Sequence, residues 1–346
     1  MELAVGYPVI EDDDQSFVDV VRAFRDHIAE VYFAWPGDPS GRSAFGLAHG
    51  IVDPTAQERL ESDLRAFRTM GVKLDLLLNA NCYGPAAASP RLADHAISVV
   101  ERLCSETGID VVTTTSPFIA AALKERFPGL ILRASVNMRI GGAQGMSYLA
   151  DVFDSFYLLR DYNRDFERIG EMREWCDRNG KDLCILANSG CLSFCSGQTF
   201  HDNLVAHEHQ LIEPVSRDVL VCRRFLADKK NWVALLQATW IRPEDLHHYA
   251  GHFSIAKLAT RMHSNPGRVI EAYAAGRFAG NLLDLLEPGY GDVLDGYILD
   301  NTKFPQDWHE RITSCQRGCE RCPYCRGVLE SALMPVAALW APLPGG

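Results

Sequence analysis

Short apolar runs rich in Val, Ile and Leu alternate along the chain with amphipathic stretches of helical period. The apolar runs predict strands at Leu3–Tyr7, Glu30–Ala34, Lys73–Leu78, Asp110–Thr113, Ile131–Val136, Ser155–Leu159, Asp182–Leu186 and Ser254–Leu258. Helical periodicity covers Ser16–Ile28, Thr55–Met70, Pro90–Glu106, Pro117–Phe127 and Ser147–Val152, and Phe166–Arg178 leads into the seventh strand. Strands that are apolar on both faces are what a parallel sheet buried under helices requires. Eight of them within about 260 residues fit a (β/α)8 barrel. A doubly wound open sheet fits less well, because no G-x-G-x-x-G fingerprint follows the first strand and no Walker A sequence occurs. The expected fold class is therefore α/β: a TIM-like barrel over residues 1–285, with a cysteine-rich C-terminal extension, 286–346, packing on it.

A barrel carries its chemistry at the C-terminal ends of its strands. In this chain those positions are polar. Trp35 follows the second strand, Asn79, Asn81, Cys82 and Tyr83 the third, and Thr114, Thr115 and Ser116 the fourth. Asn137 and Arg139 follow the fifth, and Arg160, Asp161, Tyr162, Asn163 and Arg164 the sixth. The seventh leads to Asn188, Ser189, Gly190 and Cys191, and the eighth to Arg261 and His263. Loops are polar in any protein and some of these residues serve as helix caps. Asn81, Arg160 and Arg164 stand out, since turns need no arginine. Amides, hydroxyls and guanidinium groups converging on one rim suit a small, anionic, oxygen-rich ligand.

Composition narrows the field. The 346 residues are 47% hydrophobic and 23% charged, which are globular proportions. The formal charge of −11, from 45 acidic and 34 basic side chains, argues against a nucleic-acid partner held by a broad basic surface. The first fourteen residues, MELAVGYPVIEDDD, lack the basic and apolar regions of a secretory leader. No apolar run approaches the roughly 20 residues of a membrane span, and the apolar stretch from Val336 is short and broken by Pro342 and Pro344. A reducing, cytoplasmic location is expected. It agrees with eleven cysteines, an odd number that does not read as a disulfide framework.

Those cysteines divide. Cys104, Cys176 and Cys184 fall in the bodies of predicted helices or a strand, where a cysteine usually serves as a small buried hydrophobe. The other eight read as metal ligands. Cys191 and Cys195 flank the turn after the seventh strand, Cys222 follows a loop, and Cys82 ends the third strand. Cys315, Cys319, Cys322 and Cys325 crowd into CQRGCERCPYC. Three cysteines at C-x2-C-x2-C spacing can face one cubane cluster, with a fourth ligand from elsewhere. Zinc is the alternative at the tail, although zinc ribbons use two separated pairs. Ferredoxin-type runs often send an outlying cysteine to a second cluster. By that analogy Cys315 joins Cys191, Cys195 and Cys222, and Cys82 completes the tail site, giving one or two [4Fe-4S] clusters. Cys315-x3-Cys319-x2-Cys322 also has radical SAM spacing, but it lies beyond the last strand rather than after the first. The segment from His201 and Asp202 to His207, Glu208 and His209 is not H-E-x-x-H. His201 and Asp202 instead read as outer groups near the cluster, or else as solvated helix residues. G-x-S-x-G is absent.

Three segments carry a family resemblance: NSGCLSFCSGQTF from Asn188, VCRRF around Cys222, and FSIAKLATRMHSNPGRVIEAYAAGRFAG from Phe253. In order and spacing the chain resembles the peptidase U32 family over residues 1 to about 285, with the cysteine-rich tail outside the common core. The resemblance implies more than the collagenase-like name. Members look like iron–sulfur proteins that support oxygen-independent hydroxylation, of ubiquinone precursors or RNA bases, with prephenate as oxygen donor. Cys191 and Cys222 match cluster ligands, Thr199 replaces the usual second cysteine with Cys195 just before it, and no clear fourth cysteine matches. Lys257 and Arg261 are retained, whereas the family's glutamate is Ala259 here.

Three readings follow. In the first, an iron–sulfur oxidoreductase hydroxylates a small molecule, with a carboxylate oxygen donor held by Arg160, Arg164 or Arg261. In the second, the chain is a U32-type hydrolase, for which no nucleophile constellation stands out. In the third, it is a non-catalytic iron–sulfur partner of a homologous subunit or an electron-transfer protein.

Overall fold

The computed structural model describes residues 1–8, 16–42, 45–48, 51–210, 219–294 and 296–336. The acidic run at residues 12–14, the stretch beyond Val336 and the side chain of His209 lie outside the described residues. Eight parallel strands close into a barrel: β1 Glu2–Gly6, β2 Ile28–Ala34, β3 Lys73–Leu78, β4 Val111–Thr114, β5 Ile131–Ala134, β6 Ser155–Tyr157, β7 Asp182–Leu186 and β8 Ile255–Leu258. Each pairs with its neighbours in sequence, and β8 returns to β1 with Glu2 opposite Ile255. The expected TIM barrel is what the chain forms.

The helices begin where local chemistry dictates. Asp53, Ser89 and Ser116 accept a backbone N–H at the starts of α2 (Pro54–Thr69), α3 (Pro90–Glu106) and α4 (Pro117–Arg126), each with proline in the first turn. Ser16 caps α1 (Phe17–Ala23), and Asp165 caps α6 (Phe166–Asn179), which Gly180 ends in the left-handed conformation. The expected helix at 147–152 falls earlier. α5 is Ala143–Ser147, where Met146 supplies the fully buried contact and Tyr148 turns out to solvent. β5 and β6 also stop short of their expected ends. Ser135 caps a 3-10 turn at Val136–Met138, and another turn at Arg160–Tyr162 follows β6.

The barrel interior holds charge. Arg133 on β5 donates to both oxygens of Glu30 on β2, at 2.6 and 2.9 Å, and lies 3.4 Å from Asp75 on β3. Thr113 donates to Asp75 at 2.8 Å. Lys257 on β8 lies 3.8 Å from the Tyr32 ring centroid. Removing one partner from such a buried pair leaves a bare charge, at a cost of about 3–5 kcal/mol.

After β7 come α7 (Gln198–Ala206), α8 (Val221–Leu226) and α9 (Val233–Gln237), and α10 (Pro266–Ala275) follows β8. The C-terminal region contributes β9 (Tyr297–Leu299), α11 (Trp308–Thr313), α12 (Tyr324–Ala332) and β10 (Leu333–Pro335), with β9 antiparallel to β10. Trp308, fully buried, stacks between Trp240 and Tyr324 at centroid distances of 5.9 and 6.0 Å. That stack fastens the tail to the barrel. No helix among the described residues is long and apolar enough to cross a membrane.

Candidate active site at the barrel rim

The turn after β7 is pinned from three sides. The Asn188 side chain accepts from the Ala259 N–H at 2.6 Å and donates to the carbonyls of Ala259 and Leu285, at 3.1 and 2.8 Å. The Gly190 N–H donates to the Glu287 carbonyl at 3.0 Å. A Cβ at Gly190 would sit 2.1 Å from the Pro288 carbonyl oxygen, so only glycine allows the two segments to meet. Further along, Phe194 takes a positive φ of 49° while its N–H donates to the Asp161 carboxylate.

This turn presents Cys191 and Cys195 toward Cys222 on α8. Burial raises the Cys195 pKa, and the Cys222 and Cys191 thiols raise it further while the Gly197 N–H and Arg160 act against them. The buried Tyr290 hydroxyl is pushed well up, first by burial and then by the three rim thiols, and it is hydrogen-bonded to Cys222. Three soft sulfur donors thus share one neighbourhood, and that donor chemistry fits an iron–sulfur cluster. Among the described residues, no three Cys, His, Asp or Glu side chains are already drawn into a metal-holding group.

Beside the thiols, a cleft of about 60 Å³ opens at the strand ends. Arg42, Asn79, Asn137, Arg160, Lys257, Arg261 and Glu287 are among its walls. Arg42 pairs with Glu287 at 2.9 Å, and chiefly that carboxylate holds its guanidinium charged. Burial brings Arg261 down to about 10, and the same residue donates to Ser40 at 2.8 Å. Burial also lowers Lys257 to about 8, against the pull of Asp75. Three cations and a titrating amine at one small cleft suit an anionic group such as a carboxylate.

The other expected site residues sort themselves. Asp202 is buried and engaged: Arg139 pairs with it at 2.5 Å, Asn81 donates at 3.0 Å and Gln198 at 3.3 Å. Asn81 and Asp202 therefore meet, as struts beneath the rim. Thr199 accepts from Arg139 at 3.0 Å. His201 is half-buried on α7, and burial followed by Arg42 lowers its pKa.

Arg164, expected on the rim, points elsewhere. It donates to the carbonyls of Leu236 and Trp240 and lies over the rings of Trp240 and Trp308, at 5.1 and 5.5 Å. Cys315, expected among the rim thiols, lies with Cys319, Cys322 and Cys325 around a separate cavity of about 650 Å³. Cys82, expected at the tail, instead lines a third cavity of about 440 Å³ with His207 and the His95–Asp38 pair. Cys176 and Cys184 are buried as expected, but Cys104 is exposed.

Arg42, Glu287 and Tyr290 carry no distinguishing signal in the sequence. Arg42 follows the barrel's second strand in a Gly-Arg loop, and the Glu-Pro-Gly-Tyr turn lies beyond the last strand. Only the fold brings these positions, 245 residues apart for Arg42 and Glu287, into contact.

Comparisons with known proteins agree with the resemblance. No protein-family model matches the chain. An uncharacterized protease of Methanocaldococcus jannaschii is 27% identical over 308 residues, 88% of each chain. The U32 peptidase Mk0906 superposes with a TM-score of 0.51 at 15% identity, over 74% of this chain and 92% of that one. The resemblance to the peptidase U32 family holds. The U32 structure speaks for the fold, and what the rim does chemically rests on the residues just described.

Proposed function

We propose that the chain is an enzyme whose active site is the rim, an iron–sulfur oxidoreductase acting on a small carboxylate-bearing molecule in a reducing cytoplasm. The observation that carries this reading is the adjacency of three thiols to a cationic cleft at the C-terminal strand ends. Cys191, Cys195 and Cys222 would hold the cluster, which when bound supplies an iron centre for one-electron chemistry or oxygen transfer. The chain's own residues do the rest. Arg160 and Arg261 bind the carboxylate, and Glu287 keeps Arg42 oriented toward it. Tyr290 hydrogen-bonds Cys222 and holds the thiol in place. Lys257, lowered to about 8, can hold or release a proton at its Nζ near neutral pH.

Within this reading the reaction is an oxygen-independent hydroxylation with a prephenate-like donor. The test is anaerobic turnover of a candidate acceptor with such a donor, followed by mass spectrometry. A product heavier by one oxygen supports hydroxylation, and no product with any donor counts against it.

A hydrolase is the second reading, favoured by the protease name of the archaeal relative. The cavity lined by Cys82, His207 and the His95–Asp38 pair is the place for it, since a thiol and two imidazoles share its walls. Peptide cleavage abolished by Cys82→Ala but retained in Cys191→Ser would establish it.

A further inference from the structure

Away from the rim thiols, four cysteines cluster in the C-terminal tail. Cys315, Cys319, Cys322 and Cys325 occupy eleven residues between α11 and the first turn of α12, and all four line the 650 Å³ cavity. Its other walls include Ser193 and Phe194 of the rim turn and Arg164. We propose that this segment closes around a single metal centre of four thiolates, separate from the rim centre and seated against its outer side.

Several independent features support a built site. The Arg317 N–H donates to Cys315 Sγ at 3.3 Å, with Arg317 in the left-handed region at φ 57°. A backbone N–H aimed at a cysteine sulfur two residues earlier is how short thiolate loops stabilise negative sulfur. Arg317 also anchors the loop to the barrel: its guanidinium donates to the Asp161 carbonyl at 2.8 Å and lies 5.3 Å from the Phe194 ring centroid. The buried Arg164 faces Cys325 from behind. A fixed cation there offsets the net negative charge of four thiolates around a dication or an iron–sulfur core.

Coordination requires closure, because the thiols are not yet gathered at metal-holding distances. Cys315, Cys319 and Cys322 are exposed, and a Cβ at Gly318 would meet nothing within 4 Å, so these thiols have open space to move into while Arg317 holds the loop to the barrel. Metal-driven closure of a short thiol loop is ordinary metal-coupled folding. Each thiol gives its proton to solvent as it binds, and no oxidation state changes. A zinc ion and a preassembled iron–sulfur cluster present the same demand for four thiolates.

The test uses the full chain, produced anaerobically with zinc, iron and sulfide supplied. Zinc, iron and sulfide per chain are measured for the wild type, Cys319→Ser/Cys322→Ser and Cys191→Ser/Cys222→Ser. The tail variant should lose one zinc, or one cluster's iron and sulfide, and keep the rim complement; the rim variant should do the reverse. A rim variant without loss counts against the rim reading alone, since tail loss is scored separately. A second measurement needs no substitution: pulse alkylation of the loaded wild type, mapped by peptide mass spectrometry. The four tail thiols should react at least tenfold more slowly than exposed Cys104, and a chelator should abolish the protection. Tail thiols that react as fast as Cys104, or a folded tail variant with the full wild-type complement, would overturn the proposal.

Discussion

The two sulfur-rich regions are built on opposite plans. At the rim, Cys191 and Cys195 lie on a backbone that Asn188 and Gly190 lock to β8 and to the 285–288 turn before any ligand arrives. Arg160 and Tyr290 surround the sulfurs, and the neighbouring cleft collects cations. In the tail, most of the sulfurs face solvent and the loop is anchored mainly by Arg317 and by the Trp308 stack beneath it. At both places the thiols are short of a metal-holding group, but the rim turn's backbone is fixed beside a cationic cleft, which places it to do chemistry with little movement of the main chain. A loop that must close is placed to hold, since its binding energy is spent on ordering.

The contrast can be broken most sharply with two glycines. Gly190→Ala should displace the rim turn, destabilise the protein by about 1–3 kcal/mol and abolish most activity, because its Cβ would collide with the Pro288 carbonyl. Gly318→Ala in the tail should change stability by no more than about 0.5 kcal/mol. Thermal unfolding of the two variants checks both values, and equal effects would erase the distinction.

Two arginines four residues apart offer the next test. Arg160→Met should raise KM for a carboxylate substrate by about tenfold to a hundredfold, with a smaller change in melting temperature. Arg164→Met should leave KM alone and lower the melting temperature, since it frees two buried carbonyls and unstacks Trp240 from its cation. Steady-state kinetics with parallel calorimetry separates them.

A smaller effect concerns pH. Lys257 has a pKa lowered to about 8, so it is charged below that value and neutral above it. If the charged amine assists binding, kcat/KM should fall as pH rises through about 8, and Lys257→Met should remove that limb. The sign for stability is the opposite. A depressed lysine pKa means the fold disfavours the charged form, so the destabilisation is full below about 8 and fades as pH rises toward the unfolded value of about 10.4.

Much of this was legible in the chain. The Val, Ile and Leu runs placed all eight strands to within a few residues, because a parallel barrel needs both faces apolar. The grouping of Cys191, Cys195 and Cys222 in one neighbourhood was legible from their position, following the seventh strand and the loop after it. Arg164 shows where such reading ends. Next to Arg160 in a polar loop it looks like a ligand-binding residue, yet Trp240 and Trp308 capture its guanidinium. Arg42, Glu287 and Tyr290 were illegible for a related reason, since their value lies in contacts between distant segments and each alone is an ordinary loop residue. The partition of the sulfurs was likewise decided by the fold, which kept Cys315 with its sequence neighbours and sent Cys82 to a cavity of its own.

The rim reading is tested most directly by anaerobic iron and sulfide quantification with EPR, on the wild type and on Cys191→Ser/Cys222→Ser. The wild type should carry iron and sulfide in equal amounts with a cluster signal on reduction, and the double variant should lose the rim cluster's share of both while retaining its fold. Wild-type protein without iron or sulfide, or a folded double variant with the full complement of both, would contradict it.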